Sequence, residues 1–452
     1  MKRVIRNNTK SRMKVLLMLF LIQLLFLFYA VFRGKSQIYL QIAAVIIPCS
    51  LIACLIADKI KADKYLIIWT TILINCGFMI QAMTNASSDV QKSLIKCLIA
   101  VGVAFLAAVI FRFAGPILAT DKGMFFIILV HFLLGALMIV MGQIVGSEES
   151  QGAILNLAVG TETVQPFEVV KLTYIFVMAS LLCKKECYEK KVLGLNRELF
   201  AVVFTLLTAG MQILCKELGT LLVILLSGCA MFFVYAKRKI PLRYLLILAA
   251  AAVTAGIAVV VFFHEGIPLL DKVYNRFSCM INPELTANTT GYQYLHIKKS
   301  IAIGGLFGPD TSRYITTLSN ESNDLIFCKL VQTCGIVMGA LVIGVFFQFF
   351  REGNKIADFE FESYFSGLAR GITYLIVFES LIHFGYSVQL LPITGIPLYF
   401  MSCGFSSLTM GLVMVAFLVV ISTNMLERRW EYDYKKRGRE RHCFRSGTPN
   451  WT

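Results

Sequence analysis

Charged residues are scarce in this chain of 452 residues: Asp, Glu, Lys and Arg make up 15% of it, whereas apolar residues make up 57%. Its mean hydropathy is +0.73. The composition excludes a soluble globular protein, in which about a quarter of the residues are charged. About twelve membrane crossings of roughly 20 apolar residues each would use just over half of the chain. The sequence therefore predicts an all-α polytopic membrane protein with about 12 transmembrane helices.

Cysteine pairs with the spacing of a metal site are also absent. The 13 cysteines include no Cys-x-x-Cys pair, and most of them, such as Cys49, Cys76 and Cys229, lie in apolar runs. We expect them to behave as small apolar residues, so neither a disulfide framework nor a zinc site is predicted. The net charge of +16 lies in short segments between apolar runs. It therefore predicts orientation in a membrane rather than a nucleic-acid partner.

Twelve apolar runs are candidates for the membrane-spanning helices. They lie near residues 15–32, 38–57, 65–85, 94–113, 123–146, 168–183, 197–214, 217–236, 243–264, 325–350, 367–390 and 404–425. The first run follows a basic start and lacks a cleavage site with small residues, which predicts an uncleaved helix. Lys and Arg are concentrated in alternate connections, whereas residues 147–165 are acidic and contain no Lys. The positive-inside rule then places both termini in the cytoplasm.

One predicted outer connection, residues 265–323, is much longer than the others, and long connections are usually functional or disordered. Its glycine and aromatic residues, including the run Gly304-Gly305-Leu306-Phe307-Gly308, argue against disorder. The tail, residues 426–452, is basic and polar. We expect it to be solvated and close to anionic lipid.

Three positions carry ionisable residues that are unexpected near lipid. Glu168 and Lys171 are three residues apart at the start of a helix, where they form either a structural ion pair at the membrane edge or the lining of a polar cavity. Glu217 opens another helix, where a capping role and a catalytic role fit equally well. Asp324 joins the long outer connection to the next span. It is either a helix cap or a general base acting on a lipid-linked substrate.

Seven segments, in order between residues 165 and 407, resemble motifs of the SEDS family (shape, elongation, division and sporulation), which includes FtsW, RodA and SpoVE. The segments are 165–172 (QPFEVVKL), 217–220 (ELGT), 280–284 with 291–293 (MINPE and GYQ), 300–308 (SIAIGGLFG), 324–327 (DLIF), 390–397 (LLPITGIP) and 402–407 (SCGFSS). The resemblance implies a ten-helix core at residues 65–425, preceded by a two-helix extension at 1–64. It also places the large extracellular loop before the tenth helix of the whole chain.

The resemblance further implies a peptidoglycan glycosyltransferase that polymerises lipid II into glycan strands at the outer face of the bacterial cytoplasmic membrane. Lipid II, the undecaprenyl-diphosphate-linked glycan and a class B penicillin-binding protein are then the expected partners, with membrane lipids and without nucleic acid. Division, elongation and sporulation members share these motifs, so the cellular role stays open.

The resemblance assigns the general base to Asp324, which would deprotonate the acceptor hydroxyl. Positive charge near the leaving diphosphate would come from Arg276, Lys298, Lys299 or a divalent cation, Mg²⁺ or Mn²⁺; no other cofactor is expected. The remaining expected cavity or substrate residues are Glu168, Lys171, Glu217, Gln293, Thr394, Ser402 and Ser406.

Several motif positions depart from the family pattern. Leu155 and Asn156 replace an Arg-Trp pair, and Gln332 and Thr333 replace an acidic pair. Two alternatives therefore stand beside the transferase. One is a lipid II transporter, which needs a continuous polar path across the bilayer; the other is a non-catalytic scaffold, which would tolerate the loss of Asp324.

Overall fold

The computed structural model describes residues 36–84, 87–145, 157–159, 162–183, 191–236, 265–266, 268–286, 291–309, 323–359 and 363–423, with Leu21, Leu24 and Phe28. Of the predicted spans, 243–264 and nearly all of 15–32 lie outside these residues, as does the basic tail. Residues 310–322 of the long outer connection also lie outside them.

Twelve α-helices form the described part of the chain. They are α1 (Ser36–Lys59), α2 (Tyr65–Thr84), α3 (Ser87–Leu118), α4 (Asp121–Val145), α5 (Pro166–Leu182), α6 (Arg197–Leu214), α7 (Leu218–Tyr235), α8 (Pro268–Ile281), α9 (Gly291–Gly304), α10 (Ile326–Phe359), α11 (Tyr364–Ser387) and α12 (Phe405–Ile421). Ten of the predicted spans fall on described residues, and each overlaps one of these helices. The prediction of a helical membrane protein is therefore confirmed.

Length and hydropathy make eight of the described helices candidates for crossing a membrane, and α12 is a shorter apolar helix. Such helices suit lipid because their backbone groups bond within the segment. α3 and α4 expose many large apolar side chains, as expected of lipid-facing helices. By contrast, α5 and α11 are buried along most of their length and pack against each other. These two central helices carry Glu168, Lys171 and Glu379 into the interior.

A short antiparallel hairpin precedes α5. Strand β1 (Leu157–Val159) pairs with β2 (Glu162–Val164), in the register Leu157 with Val164. The hairpin lies in the acidic connection, where the sequence predicted no regular structure. Gln165 follows it directly, and the backbone N–H of Gln165 donates to the Ser406 hydroxyl at 3.1 Å. The hairpin therefore ends where α5 is attached to the start of α12.

The described part of the long outer connection is helical, which agrees with the expectation that it is not disordered. α8 is followed by a 3₁₀ turn (Pro283–Thr286) and by α9. Tyr294 of α9 joins three segments: its hydroxyl donates to the Arg276 carbonyl at 3.3 Å and accepts from the Ile393 N–H at 3.0 Å. The Gln389 amide donates to the Tyr294 carbonyl. This connection is therefore packed onto the bundle rather than loosely attached to it.

α10 contains a break at Gly335, where φ is 86° and ψ is 169°. The turn after α9 fits into this break: the N–H groups of Ile336 and Val337 donate to the Gly305 and Leu306 carbonyls at 3.0 and 3.1 Å. A Cβ at Gly335 would lie 2.2 Å from the Leu306 carbonyl oxygen. The predicted span 325–350 therefore differs from the structure, in which residues 336–358 form the helix long enough to cross.

Candidate functional site

A polar cavity of about 180 Å³ lies at one end of the bundle. Its walls come from the start of α5, the start of α7, α8, the residue pair before α10, the middle of α11 and the loop after α11. The lining includes six of the residues expected from the sequence: Glu168, Lys171, Glu217, Arg276, Thr394 and Asp324. The structure thus brings together residues from six segments that are far apart in the sequence.

Five other expected residues lie outside this lining. Gln293 is half-buried on α9, and Lys298 and Lys299 are exposed on the same helix. The two serines are buried next to the cavity, where they hold backbone segments. Ser402 donates to the Asn323 carbonyl at 2.9 Å, and Ser406 accepts from the Gln165 N–H. Their contacts position the residues beside Asp324 and Glu168 rather than present a hydroxyl to the cavity.

Asp324 is half-buried, and its carboxylate makes no hydrogen bond or ion pair with the described residues. Its position is nevertheless fixed through the backbone, because Ser402 holds the preceding carbonyl and the Tyr386 hydroxyl donates to the Asp324 carbonyl at 2.7 Å. Burial raises the pKa of Asp324 to about 6. The carboxylate is therefore free to accept a proton, and its affinity for one exceeds that of an exposed Asp.

Tyr386 also connects Asp324 to the loop after α11. Its hydroxyl lies 2.6 Å from the Ile396 carbonyl and 2.6 Å from His383 Nδ1, and that nitrogen lies 2.9 Å from the same carbonyl. Gly395 in this loop has φ 71°, and a Cβ there would lie 3.8 Å from Asp324 Oδ2. The loop thus runs directly beside the carboxylate. A non-glycine residue at this position would adopt a strained backbone conformation next to it.

A buried ionic cluster forms the inner part of the site. Lys171 Nζ lies 2.9 Å from Glu168 Oε1 and 2.6 Å from Glu379 Oε2. The Tyr399 hydroxyl donates to Glu168 Oε2 at 2.6 Å, and Lys171 lies over the Tyr399 ring. The predicted pairing of Glu168 with Lys171 is confirmed, and both residues line the cavity. The sequence left two interpretations open, a structural ion pair and the lining of a polar cavity, and the structure shows both at once.

A second pair of charged residues, Glu217 and Arg276, lines the same cavity. The Thr220 hydroxyl donates to Glu217 Oε2 at 3.0 Å, although the Glu217 side chain makes no cap hydrogen bond to the backbone of α7. Burial lowers the pKa of the Arg276 guanidinium, and the nearby Glu217 carboxylate acts in the opposite direction. Arg276 therefore presents a cationic group to the cavity that contains Asp324.

Four polar or charged residues of the lining were not among the expected site residues: Gln165, Lys216, Thr220 and Glu379. Gln165 and Lys216 adjoin residues that were named, so the motifs themselves gave the signal. Glu379 was visible only as a carboxylate in an apolar run. It is 208 positions from Lys171 in the sequence, and no periodicity links residues at such a separation.

The described residues contain no group of three or more His, Cys, Asp or Glu side chains that could hold a metal ion. Glu168 and Glu379 are bound to Lys171, and Glu217 is bound to Thr220. Asp324 is thus the carboxylate of this cavity whose oxygens have no partner in the part of the chain that the structure describes. A cation held by a single carboxylate needs most of its ligands from elsewhere, and a diphosphate substrate can provide them.

A profile of the FtsW/RodA/SpoVE family, described as cell cycle proteins, matches residues 62–427. The match covers most of the chain, so the chain belongs to this family. Among curated relatives, the probable peptidoglycan glycosyltransferase FtsW of Bacillus subtilis is 27% identical over 385 residues, which cover 81% of this chain and 92% of that protein. Stage V sporulation protein E of the same organism is 28% identical, with 59% of this chain and 70% of that protein covered.

Solved structures share the fold. A chain of a peptidoglycan synthase complex described for its coordination of polymerization and crosslinking has a TM-score of 0.61, at 20% identity, with 80% of this chain and 98% of that chain covered. The rod shape determining protein RodA of Thermus thermophilus has a TM-score of 0.55, at 19% identity, with 80% and 97% covered. These likenesses establish the architecture of a polytopic membrane protein.

Proposed function

We propose that this protein is a peptidoglycan glycosyltransferase that polymerises lipid II into glycan strands at the outer face of the bacterial cytoplasmic membrane. The observation that carries the proposal is the carboxylate of Asp324, which lines a polar cavity together with the cationic Arg276 and has no partner among the described residues. The names of the relatives support the same activity, since FtsW of Bacillus subtilis and RodA of Treponema pallidum are both named as peptidoglycan glycosyltransferases.

In this reaction Asp324 acts as the general base. It takes the proton from the 4-hydroxyl of the acceptor sugar while that oxygen attacks the anomeric carbon of the growing strand. The bond from that carbon to the diphosphate breaks, undecaprenyl diphosphate leaves with the electron pair, and the configuration inverts. A pKa of about 6 suits this role, because the group is mostly ionised at neutral pH and binds a proton more tightly than an ordinary Asp.

The departing diphosphate carries negative charge that must be stabilised as the bond breaks. Arg276 is the lining residue best suited to this task, since guanidinium groups bind phosphate oxygens through several donors. Lys298 and Lys299 are exposed on α9 outside the lining. They would contact the diphosphate only if it extended beyond the cavity. Arg276 is therefore the principal candidate, and the two lysines are secondary.

If a divalent cation, Mg²⁺ or Mn²⁺, binds at this site, Asp324 would be the carboxylate that holds it, and the substrate would supply most of the other ligands. Mg²⁺ commonly binds in this way, through one or two carboxylates together with substrate phosphates. When bound, it would neutralise part of the charge on the leaving group.

The proposed partners are lipid II, the lipid-linked glycan strand, membrane lipids and a class B penicillin-binding protein. The last is supported by the fold's likeness to a chain of a synthase complex that coordinates polymerization and crosslinking. A transporter is less well supported, because the charged groups that line this cavity, including the ion-paired Glu168, Lys171 and Glu379, lie at one end of the bundle. A scaffold would not require the unpartnered Asp324.

The test is polymerisation of labelled lipid II by the purified protein in liposomes, alone and with a class B penicillin-binding protein. Asp324→Asn keeps the size of the side chain and removes the base, so strands formed by the wild type should be lost. Asp89→Asn is the matched control, because Asp89 is an exposed carboxylate on α3. Polymerisation by Asp324→Asn at the wild-type rate, or no polymer from a folded wild type, would contradict the proposal.

A further inference from the structure

Glu379 and Thr394, which both line the cavity, each carry a buried polar atom without a hydrogen-bond partner among the described residues. One is Glu379 Oε1, on a side chain with 0% exposure, and the other is Thr394 Oγ1. Both residues line the cavity that also contains Asp324. Buried polar groups are nearly always hydrogen-bonded, because leaving one without a partner is costly. Two such atoms in one small cavity indicate a site for a polar ligand.

The charges in the buried ionic cluster indicate which kind of group Glu379 would bind. Lys171 provides one positive charge for two carboxylates, Glu168 and Glu379. Both oxygens of Glu168 are partnered, one by Lys171 and the other by the Tyr399 hydroxyl. Glu379 has one oxygen on Lys171, and its other oxygen, Oε1, meets the geometry of a hydrogen bond with none of the described residues. The cluster therefore lacks one hydrogen-bond donor at Glu379 Oε1.

We propose that Glu379 and Thr394 form a subsite for the 2-acetamido group of the acceptor sugar, an inference that rests on the proposed glycosyltransferase function. Glu379 Oε1 accepts the amide N–H, and the Thr394 hydroxyl donates to the acetyl carbonyl. A carboxylate provides only acceptors when ionised, whereas a hydroxyl can donate. The two side chains are thus complementary to the donor and the acceptor of a secondary amide.

The position of Asp324 indicates that the amide bound by Glu379 and Thr394 belongs to the acceptor sugar rather than to another part of the substrate. The 2-acetamido group and the 4-hydroxyl lie on the same sugar ring. The cavity of about 180 Å³ is lined by both the base and the proposed amide-binding pair. Holding the acetamido group would orient the ring so that its 4-hydroxyl meets Asp324, which is how positioning of a substrate contributes to rate. Glu379 and Thr394 are accordingly specificity and positioning residues, and Asp324 remains the base.

The test compares two acceptors, the natural 2-acetamido lipid and a 2-deoxy analogue with hydrogen at that carbon, as substrates of the full-length protein in liposomes. The wild type should prefer the acetamido acceptor by about tenfold or more in kcat/KM, since hydrogen bonds to charged groups are the stronger ones. Thr394→Val has nearly the same shape without the hydroxyl, and it should lower this preference about fivefold. Thr394→Ser should restore it.

Glu379→Gln provides a second measurement at the other end of the amide. With its oxygen on Lys171, the new side chain places an NH₂ group where the substrate N–H would bind, so the preference should fall further than in Thr394→Val. Thr373→Val is the matched control: Thr373 lies on the same helix, and its hydroxyl donates to the Ala369 carbonyl away from the cavity. This variant should keep the wild-type preference.

The failure of this subsite is distinguishable from failure of the proposed function. Polymerisation by the wild type without preference between the acceptors, or a preference unchanged in Thr394→Val and Glu379→Gln, would overturn the subsite and leave the transferase intact. Retention of each radiolabelled acceptor by the protein in nanodiscs gives an independent readout that needs no turnover. The same order of preference is expected there, and equal binding of both lipids by the wild type would also overturn the subsite.

Discussion

Asp324 shows how a single residue can be fixed in position while its reactive group stays free. Its backbone carbonyl is held by Tyr386 and the preceding carbonyl by Ser402, yet its carboxylate has no partner among the described residues. An ion pair would lower the pKa of such a group, whereas burial alone raises it. A free carboxylate with a raised pKa matches the needs of a general base at neutral pH.

The pKa of about 6 predicts how activity depends on pH. A base works only when ionised, so kcat/KM for lipid II should fall about tenfold per pH unit well below pH 6 and level off above it. The measurement is the initial rate in liposomes between pH 4.5 and about 8. Any residual rate of the Asp324→Asn variant should not show this fall at acidic pH. A wild-type limb near pH 4, the ordinary range of an Asp, would contradict the raised pKa.

Residue spacing predicted part of this site and not the rest. Glu168 and Lys171 are three apart on one helix, so their pairing follows from helix geometry alone. Glu379 joins the same lysine from a helix that begins almost two hundred residues later, and the orphan oxygen of Glu379 depends on that tertiary contact. Local rules give neighbours on one helix, whereas packing between helices decides which charges meet.

At the scale of the element, hydropathy predicted where helices run but not where one of them breaks. Gly335 and Gly339 are four residues apart, a spacing that is typical of close packing by an unbroken membrane helix. Instead, Gly335 leaves the helical conformation so that the turn after α9 can enter. The backbone atoms that contact the break belong to Leu306 and its neighbours, and Leu306 precedes Gly335 by 29 residues in the sequence. The break is therefore a tertiary feature with no periodic signal.

Gly335→Ala should destabilise the protein for two reasons. A φ of 86° is strained for any residue with a Cβ, at a cost of about 1–3 kcal/mol, and the new Cβ would lie 2.2 Å from the Leu306 carbonyl oxygen, so the backbone must move. The measurement is the midpoint of thermal unfolding in detergent. Gly344→Ala is the matched control on the same helix, because nothing lies within 4 Å of a Cβ there. An equal midpoint for the two variants would contradict this account.

Over the whole molecule, the helix ends that line the cavity and the helix ends that form two further ion pairs alternate along the chain. Arg197 of α6 pairs with Asp121 of α4 at 2.8 Å, and Arg370 of α11 pairs with Asp358 of α10. The first pair joins the start of α6 to the start of α4, whereas the cavity contains the starts of α5 and α7. The predicted orientation assigns the cavity segments to the outer face and the ion-paired ends to the cytoplasm.

This orientation predicts which side chains a reagent outside the cell can reach. Lys299 on α9 and Lys59 at the end of α1 are both exposed in the structure, so accessibility should depend on the side of the membrane alone. In intact cells, a membrane-impermeant maleimide should label Lys299→Cys above the wild-type background, and it should label Lys59→Cys only after permeabilisation. The reverse pattern would place Asp324 and its cavity on the cytoplasmic side, where an acceptor lipid in the outer leaflet could not reach the base.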